Sequence, residues 1–199
     1  MKNCVVVDHY DSFTYNLVHL LEESLSSYSQ KFRLSVFRQD QVGLNDILSV
    51  NPTHILLSPG PGHPEDPEYF GVSESILRLQ NPYIKILGVC LGMQGIVTSF
   101  GGSLRRSKVP HHGKTSRISH NQKGIFLGIS DTINVMRYHS LEAVQESLPE
   151  CLEITAKVER EVPALMGVRH KILPVEGVQF HPESFATEYG KKMIENFLR

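Results

Sequence analysis

The sequence predicts an α/β protein: an open, mostly parallel sheet with helices on both faces, and additional β-strands in the C-terminal half. Three observations carry this expectation. Up to residue 100, short apolar runs alternate with helix-spaced segments, the mark of strand–helix–strand units. After "FGG" (100–102) the pattern changes to short β-like stretches separated by turn residues. The chain of 199 residues shows no repeat, no low-complexity segment and no linker, so residues 1–199 read as a single domain.

The elements follow in order. "NCVVVD" (3–8) is a β-branched run of the kind found in strands buried on both faces. Residues 12–28 carry Phe13, Leu17, Leu20, Leu21 and Leu25 near helical spacing, with Asp11 and Ser12 as N-cap types. "FRLSVFR" (32–38) is the next strand, and "LNDILSV" (44–50) a short helix ended by Asn-Pro. "HILLS" (54–58) is a strand and "VSESILRLQ" (72–80) a helix. "KILGV" (85–89) is a strand and "LGMQGIVTSF" (91–100) a helix. Beyond them, 103–109, 114–118, 133–138, 153–158, 164–168 and 174–180 read as strands. An amphipathic helix over 188–198, carrying Met193, Ile194 and Phe197, closes the chain.

Charge and composition narrow the function. The net charge is −1 and both signs are mixed along the chain, so nothing forms a basic stripe for nucleic acid or a polybasic patch for membrane. The apolar runs fall far short of the ~20 residues of a membrane span. The N-terminus enters a strand-like run without a signal-peptide pattern. Three scattered cysteines make no disulfide framework, which points to a reduced, cytoplasmic protein.

In an open α/β sheet the ligand crevice lies past the carboxyl ends of the strands. The turns there are "DHYDSFT", "SPGPGHP" and "GVCLG", so the site is expected where they gather. Gly88-Val-Cys90-Leu-Gly92 has the spacing of a nucleophile elbow with sulfur in place of oxygen. Cys90 then sits at a helix N-terminus, where free N–H groups and the helix dipole stabilise a thiolate. The N–H of Leu91 is the natural first donor to a developing oxyanion. Free cysteines are usually small buried residues, and Cys4 and Cys151 are read so; the glycines set Cys90 apart. "GVQFHPES" ends a strand in His181, with Glu183 two residues on, as a base and its orienter require. "SPGPGHP" is a rigid turn that exposes backbone N–H groups, making Gly60 a candidate second oxyanion donor. A phosphate loop is disfavoured because the P-loop lysine is missing. Adjacent His111 and His112 point to opposite faces of a strand and lack a carboxylate partner, so no metal is expected.

With these pieces together, the chain resembles the class I glutamine amidotransferases. More narrowly it resembles the glutaminase subunits of anthranilate synthase and of aminodeoxychorismate synthase. "DHYDSFTYNL", "SPGPGHP", "GVCLGMQ", "HGKTS", "RYHSL", "MGVRH" and "GVQFHPES" carry the resemblance nearly end to end. It implies a flavodoxin-like sheet and hydrolysis of L-glutamine through a thioester, without a cofactor. By its motifs, Cys90 is the nucleophile, His181 the acid and base and Glu183 the orienter, with Gly60 and Leu91 as the oxyanion hole. Gly60, Pro61, Gly62 and Gln94 contact glutamine, as do Ser140 and Leu141 through their backbone. The implied partner is a chorismate-binding synthase large subunit that uses the ammonia.

The match has departures. His9 stands where Asn is expected, beside the loop assigned to the partner surface, and Gly95 where Ala is usual. The run before "HGK" is altered over 108–112. The alternatives are another elbow-cysteine hydrolase and a non-catalytic subunit; "RYHSL" with "HPES" argues against the first, and retention of Cys90, His181 and Glu183 against the second. Between the two pathways the residues do not choose, because the chemistry is the same up to ammonia.

Overall fold

A computed structural model of the chain describes residues 2–26, 32–107, 113–159 and 164–199. The first half alternates as expected. In order come β1 (Lys2–Asp8), α1 (Thr14–Ser26), β2 (Phe32–Arg38), α2 (Leu44–Ser49), β3 (His54–Leu57), α3 (Pro67–Phe70), α4 (Val72–Arg78), β4 (Lys85–Val89) and α5 (Leu91–Ser99). Then follow β5 (Leu104–Arg106), β6 (Lys114–His120), β7 (Thr132–Arg137), β8 (Leu141–Ala143), β9 (Leu152–Val158), β10 (Leu165–His170), β11 (Val175–Val178) and α6 (Gly190–Leu198).

Among the described residues, nine strands form one sheet in the order β2-β1-β3-β4-β11-β10-β9-β6-β7. The first five are mutually parallel and follow the 2-1-3-4-5 order of flavodoxin-like sheets. The later strands continue the same sheet in antiparallel fashion, while β5 and β8 pair separately.

The period of two along β1 divides the core. Cys4 and Val6 face the layer that holds Leu17, Leu21, Met193 and Phe197, from α1 and α6. Val5 and Val7 face the opposite layer, with Ile47, Ile76, Met93 and Val97 from α2, α4 and α5. Helix α5 is buried on nearly every side, from Leu91 to Val97. Burial of both strand faces explains the unbroken apolar runs in β1, β3 and β4.

Two elements escape the sequence pattern. Helix α3 lies in the stretch after "SPGPGHP"; its signal is Asp66, whose carboxylate accepts from the Glu68 N–H at 3.0 Å, with Pro67 at the first helical position. Strand β8 is three residues long, too short for a periodicity. The altered run 108–112, with His111 and His112, lies outside the described residues. Among the described residues, no helix is long and apolar enough to cross a membrane.

Candidate active site

Three turns meet at the carboxyl edge of the parallel strands. The Ser58 N–H donates to the Val7 carbonyl at 3.1 Å, and the Ser58 hydroxyl accepts from the His9 N–H at 2.9 Å. Gly60 sits where these turns touch α5: a Cβ there falls 2.5 Å from His9 Cβ and 2.8 Å from Leu91 Cδ2. A residue without a side chain is what lets the 58–64 backbone reach the head of α5. The Gly60 and Leu91 N–H groups donate to no other group among the described residues. Leu91 opens α5, so its N–H is one of the orphan donors of a helix start. Pro61 and Gly62 are exposed on the outer side of the turn, with Gly62 at φ 80° against the Tyr69 ring.

Cys90 has φ 52° and ψ −100°, a conformation rare for a residue with a side chain. Its neighbours make the bend possible. A side chain on Gly88 collides with the Gly92 backbone, and one on Gly92 with the Leu57 carbonyl. The Cys90 N–H is held by the Val178 carbonyl at 2.8 Å, which anchors the elbow to β11. Cys4 differs: wholly buried in β1, its thiol is pushed up to about 12 by desolvation, which leaves it inert.

His181 follows β11 and is fixed through its backbone. Its N–H donates to the Met136 carbonyl at 3.0 Å, and its carbonyl accepts from the Thr187 hydroxyl at 2.6 Å. Nδ1 lies 2.6 Å from Glu183 Oε1, with both side chains nearly sealed from solvent. Burial opposes the imidazolium, but Cys90 and Glu183 outweigh it, so His181 is held well above the ordinary imidazole range. The Phe13 and Tyr138 rings stand nearly perpendicular to the imidazole, at 6.0 and 5.1 Å between centroids. Beside this pair lies a cavity of about 170 Å³ lined by Phe13, Asn16, Tyr138, Glu183, Ser184 and Phe185.

Gln94 is buried one turn into α5. Its Nε2 donates to the Leu141 carbonyl and to Gln179 Oε1, both at 3.2 Å. Both donor hydrogens are thereby used, which leaves Oε1 as the acceptor end of the amide. The Ser140 carbonyl accepts from the Ser107 N–H at 2.8 Å. The backbone at 140–141 thus meets the site with both carbonyls already bonded. Among the described residues, no cluster of three or more His, Cys, Asp or Glu side chains is placed to hold a metal.

The described geometry brings together an elbow cysteine, a carboxylate-backed histidine and two unengaged backbone donors on a flavodoxin-like sheet. The profile of the family "Glutamine amidotransferase class-I" matches residues 5–199. The chain belongs to the class I glutamine amidotransferases.

Its relatives agree on the family and differ in pathway. The chain is 49% identical over 196 residues to anthranilate synthase component 2 of Leptospira biflexa, covering 98% of each chain. It is 42% identical over 194 residues to aminodeoxychorismate synthase component 2 of Klebsiella aerogenes, again over 98% of each. A solved structure described as a GMP synthase protein from Thermoplasma acidophilum superposes with a TM-score of 0.82 at 26% identity, over 100% of this chain and 92% of that one.

Within this amidotransferase two of the departures, His9 and Gly95, become one feature. His9, beside the loop assigned to the partner surface, is itself 1% exposed. Its Nδ1 is 3.2 Å from the Ser58 hydroxyl and its Nε2 2.9 Å from that of Ser73. The ring stacks on Phe70 with centroids 5.2 Å apart and planes 13° apart. The Phe70 ring in turn fills the space a Cβ at Gly95 needs. One aromatic ring therefore accounts for both residues, and a side chain at 95 is excluded by packing, not by helix geometry. Sequence reasoning also missed Gln179. A fully buried glutamine amid the apolar run of "VEGVQF" is the signal that marks it.

Proposed function

We propose that this amidotransferase hydrolyses L-glutamine through Cys90, His181 and Glu183, as a single domain that hands ammonia to a chorismate-using synthase subunit. The observation that carries the reading is Cys90 at φ 52° between two obligatory glycines, with the His181–Glu183 pair beside it. The Cys90 thiolate attacks the side-chain amide carbon of glutamine. Charge moves to the carbonyl oxygen, which the Gly60 and Leu91 N–H groups receive. His181 gives its proton to the leaving nitrogen, and ammonia departs from a γ-glutamyl thioester. Water then attacks the thioester as His181 takes its proton, and collapse returns the sulfur as thiolate with glutamate released. Glu183 holds the imidazole in the orientation both steps need. Gln94 Oε1, the acceptor end of the amide, is available to a donor group of the substrate.

Relatives named as component 2 of anthranilate synthase and of aminodeoxychorismate synthase support a synthase partner, and the higher identity goes to the former. The partner docks over the carboxyl edge of the sheet, because ammonia leaves there. Exposed aromatic residues surround that edge: Tyr10, Phe13, Tyr15 and Phe185, the last 98% exposed. Aromatic anchors of this kind are typical of interface hot spots. The acidic turn that carries Glu65 and Glu68 belongs to the same face.

The test is Cys90→Ala in the reconstituted pair. Glutamine-dependent synthesis is lost while synthesis from ammonium salts survives; loss of both rates overturns the assignment. Anthranilate and aminodeoxychorismate as products separate the two pathways in the same assay.

A further inference from the structure

Gln179 stands two residues before His181, wholly buried, with no part in the triad. We propose that Gln179 is a further catalytic residue of this site: a fixed N–H donor to the Cys90 sulfur, aimed by a hydrogen-bond chain that the Leu141 carbonyl fixes through Gln94. This rests on Cys90 being the nucleophile.

The direction of the chain follows from what each group is able to do. A guanidinium only donates, so the 3.1 Å bond from Arg137 Nε makes His139 Nε2 an acceptor. His139 then carries its proton on Nδ1 and donates it to the Leu141 carbonyl at 2.8 Å. That carbonyl only accepts, so the Gln94 atom 3.2 Å away is its nitrogen. The same nitrogen faces Gln179 at 3.2 Å, which must present oxygen. The remaining end of the Gln179 amide, 3.5 Å from Cys90 Sγ, is therefore NH₂. Rotating this amide by half a turn sets nitrogen against nitrogen at Gln94 and oxygen against sulfur at Cys90. The first contact is repulsive, and so is the second once the sulfur is charged.

A donor held in this way favours thiolate over thiol, since bonds to a charged acceptor are the stronger ones. It acts twice in the cycle: on the resting nucleophile, and as charge returns to sulfur when the thioester is hydrolysed. It also links the substrate contact Gln94 to the nucleophile through one side chain.

The experiment measures alkylation of Cys90 by iodoacetamide at pH 6 and pH 9, by mass spectrometry, in folded wild type, Gln179→Leu, Gln179→Glu and Gln94→Leu. In wild type Cys90 reacts ahead of Cys4 and Cys151 at pH 6. Gln179→Leu lowers the pH 6 rate relative to the pH 9 rate by about tenfold. Gln179→Glu lowers it further, since a carboxylate repels the thiolate. Gln94→Leu, which frees the Gln179 amide to turn, produces part of the loss. A wild-type ratio in folded Gln179→Leu overturns the proposal. Where both Gln179 variants fail to fold, an unchanged ratio in Gln94→Leu overturns it. Absence of selective Cys90 alkylation in wild type instead sinks the nucleophile assignment itself.

Discussion

Two histidines lie buried at the carboxyl edge of the same sheet, 1% and 2% exposed, and their surroundings drive them in opposite directions. His9 follows β1 among two hydroxyls and an aromatic face. Burial there lowers its pKa to about 3, only partly offset by Ser58, so it stays neutral. His181 follows β11 with Glu183 on one nitrogen and Cys90 near the other, and is raised despite similar burial. Desolvation by itself makes an inert, structural imidazole. A charged partner at 2.6 Å turns the same side chain into one that holds and releases a proton.

The largest test of this contrast is the pair His181→Ala and His9→Asn. In the proposed mechanism loss of His181 removes proton transfer to ammonia and from water, and turnover falls by about 10²–10⁴-fold. His9→Asn leaves turnover near that of wild type. Equal losses in glutaminase assays break the distinction. Glu183→Gln comes next: it keeps shape but removes one of the two groups, after Cys90, that raise His181, so turnover drops by less than in His181→Ala. A larger drop reverses the assigned roles.

Stability against pH sharpens the comparison. Unfolded His9 takes up a proton near 6.5, while the folded residue resists down to about 3. The unfolded state therefore binds the extra proton below pH 6.5, and stability from neutral His9 is lost progressively as pH falls from there. By pH 4.5 the loss approaches about 2 kcal/mol. His181 has the opposite sign: its contribution is present below the unfolded value and is lost as pH rises through the folded one. Urea titrations of His9→Asn should show a shallower decline between pH 6.5 and 4.5 than wild type; parallel curves contradict a neutral His9.

The smallest effect lies at Gly95. Alanine there gains roughly 1 kcal/mol of helix propensity but meets the Phe70 ring, and overpacking costs about 1–3 kcal/mol. Gly95→Ala thus destabilises wild type, and much less so when Phe70 is leucine. Additive effects in the double mutant, read by denaturant unfolding, dismiss the coupling.

Much of the site was legible because it is built from short stretches. An elbow needs small residues two places either side of the nucleophile, and Gly88 and Gly92 provide them. A base with its orienter fits within "HPES". The alternation of strands and helices and the place of the three turns follow from local pattern and chain connectivity, whereas the flavodoxin-like order came with the family resemblance. Short α3 and β8 were passed over because four and three residues carry too little periodicity.

What the sequence by itself determined is therefore the local chemistry: an elbow cysteine, a histidine backed by glutamate, and a sheet whose ends bring them together. Tertiary structure alone decided how the remaining polar groups are used. His9 is neutral because the fold buries it, with Ser58 and Ser73 brought to its ring nitrogens from 49 and 64 residues away and Ser58 only partly offsetting the desolvation. Gln179 points its NH₂ at Cys90 because Gln94, 85 residues earlier, holds its oxygen. A side-chain amide has the same composition whichever way it faces, and an imidazole titrates according to what surrounds it. Neither orientation nor charge belongs to the residue until the fold supplies its neighbours.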